Sequence, residues 1–169
     1  MPSQQDEKMT FPWQTVWVEQ HSALLCESFY HWTGEKLVVE TGKFGSLEAA
    51  LFHSPRVVLS HDTQPDPRFN YANQRALDLW ETTWDQLIGL PSRLSAEPEV
   101  QPERQHFLHQ VQQQGWAKNY QGIRITRQGR KFLIRNAILW NVVDVVGNLY
   151  GQAAMFTEWD WLDEQKTKL

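Results

Sequence analysis

The chain has 169 residues, 41% of them hydrophobic, and a formal net charge of −4 at pH 7. That length supplies one domain with a single core, and the acidic balance lacks the basic excess that is typical of nucleic-acid-binding proteins. The single cysteine, Cys26, excludes an intramolecular disulfide and a zinc site built from several cysteines. Because the sequence has neither an apolar run of about 20 residues nor the layout of a signal peptide, we expect a cytoplasmic protein without membrane or nucleic-acid partners.

The amino-terminal part of the chain predicts a long amphipathic helix. Apolar residues recur at helical spacing from Trp13 to Trp32, and Gly34 follows as a typical helix stop. Such a stripe covers either the domain's own sheet or a second copy of the chain, since large aromatic side chains bring much contact area. If the stripe forms a homodimer or binds another protein, the candidate interface residues are Trp13, Trp17 and Leu24.

Shorter elements follow in the order helix, two strands, several helices and three strands. We predict helices at 46–53, 73–80, 84–88 and 103–114, and strands at 57–60, 69–71, 120–126, 131–143 and 149–158. Residues 36–41 are ambiguous and could form a further short strand. The resulting segments are a flexible amino terminus (1–10), a helical extension (11–56), a strand-rich domain (57–160) and a tail (161–169).

The order of these elements predicts an α+β fold. We expect a PAS-like, five-stranded antiparallel sheet with helices on one face, plus the amino-terminal amphipathic helix. Several basic residues, among them Arg124, Arg130 and Arg135, fall on the last strands. On strands of alternating polarity such charges are typical of the solvated face of a half-buried sheet.

Several polar strings resemble the MEKHLA domain, a PAS-related family of free-standing bacterial proteins and of certain plant transcription factors. The matching strings are SHDTQPDPRFNYAN, LPSRLSAE, ERQHFLHQVQQQG, YQGIRITRQGRKF and GQAAMF. The resemblance extends over most of the chain and implies a PAS fold. PAS modules sense small molecules, light, redox state or oxygen, or they dimerise, so the resemblance implies a sensory or regulatory role without naming a ligand.

The string LPSRLSAE has neither helical nor strand periodicity, and it is rich in polar groups. Arg93 is a candidate to bind a carboxylate or phosphate of a ligand, with Ser92 and Ser95 adding hydrogen bonds. The alternative is structural. In that case Arg93 pairs with Glu97 or Asp62 and fixes a loop that lacks regular hydrogen bonding.

A second polar cluster surrounds His61 in the string SHDTQPDPR. A histidine beside carboxylates can carry a proton or bind a ligand, whereas the aspartates can instead fix the turn through bonds to the backbone. An enzyme that uses His61 and the Arg93 loop is a minor alternative, although no nucleophile-elbow motif is present.

Amide and imidazole side chains provide the remaining candidates. Asn73, Asn136 and Gln152 could contact a ligand such as a non-covalently bound flavin, or they could hold the sheet together. A flavin bonded to cysteine is not expected, since residues 73–114 contain no cysteine. His106 or His109 could be the axial ligand of a haem, because haem-binding PAS proteins often use the helix before the last three strands.

We therefore expect a sensory or regulatory module that binds a small molecule and signals through protein contacts. The alternative is a protein-interaction or dimerisation domain without a ligand. The volume of the interior discriminates between them, since a ligand module needs a cavity of several hundred cubic ångströms, whereas a packed core leaves only voids near the size of a water molecule.

Overall fold

An antiparallel sheet of six strands organises residues 11–162, the part of the chain that the computed structural model describes. The helices are α1 (Val16–Thr33), α2 (Leu47–Phe52), α3 (Gln74–Leu79), α4 (Trp84–Leu87) and α5 (Gln101–Gln114), with short 3₁₀ turns at Pro12–Gln14 and Ser92–Ser95. The strands are β1 (Val57–His61), β2 (Phe69–Ala72), β3 (Trp116–Ile125), β4 (Lys131–Val143), β5 (Leu149–Phe156) and β6 (Glu158–Leu162).

The strands lie in the order β2-β1-β5-β4-β3, and β6 pairs with the first half of β4. Strand β5 is therefore central, with β1 on one side and β4 on the other. Leu59 of β1, Ala154 of β5 and Leu139 of β4 are aligned across the sheet. This arrangement confirms the predicted α+β fold with a PAS-like antiparallel sheet. None of the helices in residues 11–162 is both long and apolar enough to cross a membrane.

Both faces of the sheet are buried, because neighbouring residues on a strand point to opposite sides. On β1, Val57 belongs to an inner core with residues of α3 and α5. Val58 belongs instead to an outer core that includes residues of α1. The expectation of a single core therefore needs correction, since the sheet separates two apolar clusters.

Helix α1 covers the outer face and has defined ends. The Thr15 hydroxyl oxygen accepts a hydrogen bond from the backbone N–H of Val18 (3.2 Å), and Gly34 ends the helix in the left-handed conformation (φ 72°). Phe29 packs edge-on against Trp140 of β4, with ring centroids 4.9 Å apart. Each such fully buried apolar side chain contributes about 1.5–3 kcal/mol, so this packing fixes the helix on the sheet.

The further short strand considered at 36–41 does not form. Leu37 is buried in the outer core, but no neighbouring strand supplies hydrogen bonds to it. Instead, the guanidinium of Arg56 donates to the backbone carbonyls of Lys36 (3.1 Å) and Leu37 (3.3 Å). A side chain therefore satisfies backbone groups that a strand partner would otherwise bond.

A buried polar chain joins α1 to the sheet beneath it. The Ser60 hydroxyl donates to Oδ1 of Asn70 (2.5 Å), so Nε2 of His21 donates to the Ser60 oxygen (2.9 Å). The ring of Trp17 stacks on the imidazole of His21 at 4.5 Å. Burial lowers the pKa of His21 to about 4, so the imidazole is neutral at physiological pH.

The low pKa of His21 makes the stability of the fold depend on pH. The unfolded chain binds a proton at His21 below about pH 6.5, and the folded chain does so only near pH 4, so stability is lost as the pH falls through this interval. Replacing His21 by Gln should remove the uptake of nearly one proton on unfolding. The slope of the unfolding free energy against pH should then fall by about 1.4 kcal/mol per pH unit near pH 5.5. Urea unfolding between pH 7 and 5 measures it. His106→Gln, at an exposed position, is the control and should keep the wild-type slope; an unchanged slope in His21→Gln would contradict the prediction.

Candidate ligand-binding site

A cavity of about 50 Å³ lies between the concave face of the sheet and the helices. Its wall is largely apolar and is formed by side chains of β1, β4 and β5, namely Leu59, Ile134, Ala137, Leu139, Ala154 and Phe156. The small side chains of Ala137 and Ala154 leave room for this cavity, since alanine extends less far from the strand than leucine. At the polar end, side chains from α5 and β3 reach the same cavity.

Two arginine side chains, Arg104 of α5 and Arg124 of β3, form the polar end of this cavity. Arg104 donates to the hydroxyl oxygen of Ser92 (3.1 Å). Arg124 is only 7% exposed and donates to the phenol oxygen of Tyr120 (2.9 Å) and to the carbonyl of Ile123 (2.8 Å). Burial, and secondarily the charge of Arg124, lower the pKa of Arg104 to about 10. Arg104 is therefore still cationic at pH 7.

Neither arginine has a carboxylate partner within 4.0 Å among residues 11–162. Buried charges in proteins are normally paired, so an unpaired cluster of two guanidinium groups is unusual. The neighbouring ion pairs are formed by other residues, since Glu97 bonds to Lys131 (2.8 Å). The cavity thus carries an uncompensated positive charge.

His61 supplies a hydrogen-bond acceptor to the same cavity. Its Nδ1 lies 2.9 Å from the backbone carbonyl of Asp62, and because a carbonyl can only accept, Nδ1 carries the proton. Nε2 is then unprotonated, buried and without a hydrogen-bond partner. Burial lowers the pKa of His61 to about 4, with a further contribution from the charge of Arg104, so the ring is neutral at pH 7.

Trp80 supplies a donor to the cavity. Its indole N–H is buried and has no hydrogen-bond partner among the described residues, and its ring packs edge-on against Phe132 at 5.0 Å. Buried polar groups in folded proteins are almost always bonded. Trp80, with an unbonded donor, and His61, with an unbonded acceptor, are therefore both lining residues of one cavity.

A polar cleft of about 280 Å³ adjoins the cavity and shares His61, Arg104 and Gln152 with it. Asp62 shapes the rim, since its carboxylate accepts from the backbone N–H groups of Gln64 (3.2 Å) and Arg68 (2.9 Å). A wall of the cleft is formed where β5 meets β1 at Gly151. At this glycine (φ 144°) a Cβ would overlap the backbone carbonyl oxygen of His61.

The structure brings most of the predicted ligand-binding residues to the cavity or the cleft. Ser92 and Arg93 line the cleft, Ser95 lines the cavity, and His61 and Gln152 line both. Arg93 pairs with Asp66 (3.2 Å), not with Glu97 or Asp62, and both side chains of this pair are about half exposed. The hydroxyl of Ser95 donates to the carbonyl of Ser92 (2.7 Å).

Asn73 and Asn136 lie elsewhere. Asn73 caps α3 and is fully buried; its oxygen accepts from the N–H groups of Val58 and Ala76, and its amide donates to the carbonyls of Leu51 and Arg56. Asn136 is exposed at a bend of β4 with positive φ (54°), where it donates to Glu158 (2.9 Å). Both make structural contacts, and neither lines the cavity or the cleft.

The residues around the cavity do not fit a haem or a flavin. A volume of about 50 Å³ is several-fold below the roughly 300 Å³ or more of typical small-molecule and cofactor pockets, and it is also smaller than the cavity that we expected of a ligand module. His106 is exposed and bonds to Gln110, whereas His109 lies on the cleft. Cys26 belongs to the outer core on the other side of the sheet, where burial raises its thiol pKa to about 12. Among the described residues, no group of three His, Cys, Asp or Glu side chains could hold a metal ion.

The sequence analysis missed Arg104, Arg124, Tyr120 and Trp80 as site residues. The assignment of Arg124 to a solvated face is wrong, because a bulged register between β3 and β4 around Tyr120 changes which side chains point inward. The sequence did carry one signal for Arg104. It lies one helical turn before the partly buried Leu108 on α5, and residues four apart lie on the same face of a helix.

The domain has a sheet of order β2-β1-β5-β4-β3 with helices over a cavity on one face. This fold places the protein in the PAS class. The PAS domain of a protein from Colwellia psychrerythraea aligns with a TM-score of 0.55 at 15% identity, over 63% of this chain and 87% of that one. An RNA-binding light-oxygen-voltage receptor aligns with a TM-score of 0.58 at 17% identity, over 76% of this chain and 35% of that one. At these identities the likeness concerns the fold alone.

Within this class, residues 19–161 match the MEKHLA domain, and the chain belongs to the MEKHLA family. Homeobox-leucine zipper protein HOX29 of Oryza sativa subsp. japonica is 27% identical over 142 residues, which cover 82% of this chain and 16% of that protein. Homeobox-leucine zipper protein ATHB-15 of Arabidopsis thaliana is 24% identical over 139 residues, which cover 82% and 17%. The chain thus spans about one sixth of the length of these curated relatives.

The contrast between the two asparagines can be tested by unfolding. Asn73→Ala removes bonds to four buried backbone groups and should cost on the order of 3 kcal/mol or more, since each unsatisfied buried group costs about 1–3 kcal/mol. Asn136→Gly, which tolerates the positive φ, should change stability by less than about 1 kcal/mol. Urea unfolding of both variants measures the two costs, and similar losses would contradict the assignment of Asn73 as the structural residue.

Proposed function

We propose that this protein is a sensory module that binds a small molecule in the cavity between sheet and helices. The observation that carries the proposal combines two kinds of group on residues that line one cavity. Nε2 of His61 and the indole N–H of Trp80 have no hydrogen-bond partner among the described residues, and the guanidinium groups of Arg104 and Arg124 have no carboxylate partner there. Each unbonded buried group costs the folded chain about 1–3 kcal/mol. A bound molecule that bonds to them would recover this free energy.

A chain of hydrogen bonds connects the cavity with the outer face of the sheet. The amide of Gln152, which lines the cavity, donates to Oδ1 of Asn141 on β4 (3.3 Å) and to the carbonyl of Leu108 on α5 (2.8 Å). Asn141 in turn donates to Gln112 near the end of α5 (2.9 Å), and its carbonyl accepts from the indole of Trp32 on α1 (2.9 Å). We propose that occupancy of the cavity changes how α1 is held, through Asn141.

The protein partner that we propose for the signal is a second copy of the chain. Trp17 is 48% exposed on α1, and it borders a groove of about 280 Å³ whose other walls include Pro12, Trp84 and Ile88. A projecting aromatic side chain beside a groove suits a two-fold contact, in which each copy inserts its Trp17 into the groove of the other. The other predicted interface residues are engaged within the chain, since Trp13 packs on Phe52 at 4.9 Å and Leu24 on the outer core.

Native mass spectrometry of the purified protein, with an absorption spectrum, tests ligand binding. We expect a bound small molecule, and we expect Ala154→Val to lose it without a lower melting temperature, because the added methyl groups fill the cavity. The matched control is Ala117→Val on β3, which does not line the cavity and should retain the molecule. If the purified wild-type protein carries no bound molecule, and if Ala154→Val changes binding in no ligand screen, the interaction-domain alternative is favoured and the proposal is overturned.

Light scattering during size-exclusion chromatography tests the second copy. The wild-type protein should elute as a dimer, and Trp17→Glu should be a folded monomer, because a carboxylate would be buried in the groove of the partner copy. Tyr30→Glu is the matched control, since Tyr30 is also exposed on α1 but lies about 20 Å further along the helix; it should remain dimeric. A monomeric wild-type protein, or equal behaviour of the two variants, would exclude this interface.

A further inference from the structure

The charge of the cavity indicates the chemical class of its ligand. This inference rests on the proposed function, since it concerns the molecule that the cavity would bind. Arg104 and Arg124 repel each other, and the described residues provide no carboxylate between them. Guanidinium groups bind carboxylates through paired N–H donors. An anionic group of the ligand would therefore remove the repulsion and supply the missing counter-charge.

The hydrogen-bond acceptors of the cavity add a second requirement. Nε2 of His61 is an acceptor, because the proton of the ring is on Nδ1. Both amide hydrogens of Gln152 are used, on the carbonyl of Leu108 and on Asn141, so its side-chain oxygen remains an acceptor as well. A carboxylate alone cannot satisfy an acceptor. The ligand therefore also carries a donor, such as a hydroxyl group.

Size and polarity narrow the class further. A volume of about 50 Å³ holds roughly four water-sized groups, and the adjoining cleft of about 280 Å³, which shares His61, has room for the remaining atoms of a small ligand. The cavity wall is largely apolar beside the arginines, with Leu59, Leu139 and Ala154 among its residues. A tetrahedral inorganic anion would place oxygen atoms against these hydrocarbon groups without donors. A short carbon chain suits this wall.

We infer that the cavity binds a short 2-hydroxycarboxylate, with two or three carbon atoms. The carboxylate lies between the guanidinium groups of Arg104 and Arg124, and the 2-hydroxyl group donates to Nε2 of His61. The indole N–H of Trp80 and the phenol of Tyr120 remain as donors for the ligand's oxygen atoms.

The test is a binding panel on the full chain by isothermal titration calorimetry, with lactate as the probe. Propionate lacks the hydroxyl group, pyruvate lacks the hydroxyl donor, and lactamide lacks the charge. We expect lactate to bind at least tenfold more tightly than each of the three, because each analogue leaves one cavity group unsatisfied. Inorganic phosphate and chloride are included at equal ionic strength, and binding of either as tightly as lactate would overturn the inference.

Variants of the arginines assign the site. Arg104→Met keeps the aliphatic part of the side chain but removes the guanidinium group and its charge, and it should weaken lactate binding at least tenfold, whereas Arg104→Lys should weaken it less. The matched control is Arg93→Met, an arginine of the adjoining cleft whose charge is already paired with Asp66; it should bind lactate like the wild type. Equal weakening by Arg93→Met and Arg104→Met would overturn the inference.

The outcome also separates this inference from the proposed function. If lactamide binds as tightly as lactate, and Ala154→Val abolishes both, the cavity binds a small molecule but the charge does not select it, and only the inference fails. If no member of the panel binds, and the purified protein carries no bound mass, both fail. A shift of the Trp80 indole N–H resonance in the nitrogen–proton NMR spectrum, seen with lactate and absent with propionate, would support the inference independently of the variants.

Discussion

The burial of the sheet on both faces is the constraint on which the rest of this structure depends. Alternate residues of β1, β4 and β5 are apolar on both sides, so neither face can remain in water without a large cost. Helix α1 covers one face through Phe29 and Trp140, which leaves the other face for the shorter helices and the cavity. The packing of the amino-terminal helix is therefore required by the sheet, and any change in the position of this helix acts on the strands that line the cavity.

Much of the fold could be predicted from the sequence, because its signals are local. The stop at Gly34, the cap at Asn73 and the strand at Lys131–Val143 are found as predicted, since each depends on a few neighbouring residues. The stretch 36–41 could not be predicted correctly, because its β-branched residues favour a strand while a distant arginine provides its hydrogen bonds. Tertiary contacts decided the conformation there.

The candidate site was predictable only in part, for the same physical reason. His61, Ser92 and Arg93 stand in unusual polar strings, and the fold does bring them to one cleft. Arg104 and Arg124 stand in ordinary surroundings, on a polar helix and on an alternating strand, where charges usually face solvent. Only the bulged pairing of β3 with β4 and the rotation of α5 place the two guanidinium groups together, and neither is encoded in local periodicity.

Two adjacent residues of the central strand β5 pack on opposite faces of the sheet. Ala153 belongs to the outer core beside Trp140, and Ala154 packs in the inner core between Leu59 and Leu139, while both residues line the cavity. A larger side chain at Ala154 would reduce the space for a ligand, whereas a larger one at Ala153 would lift the amino-terminal helix from the sheet. Substitutions one position apart on the same strand would thus act first on opposite faces of the sheet, one on the packing of the cavity and one on the attachment of the amino-terminal helix.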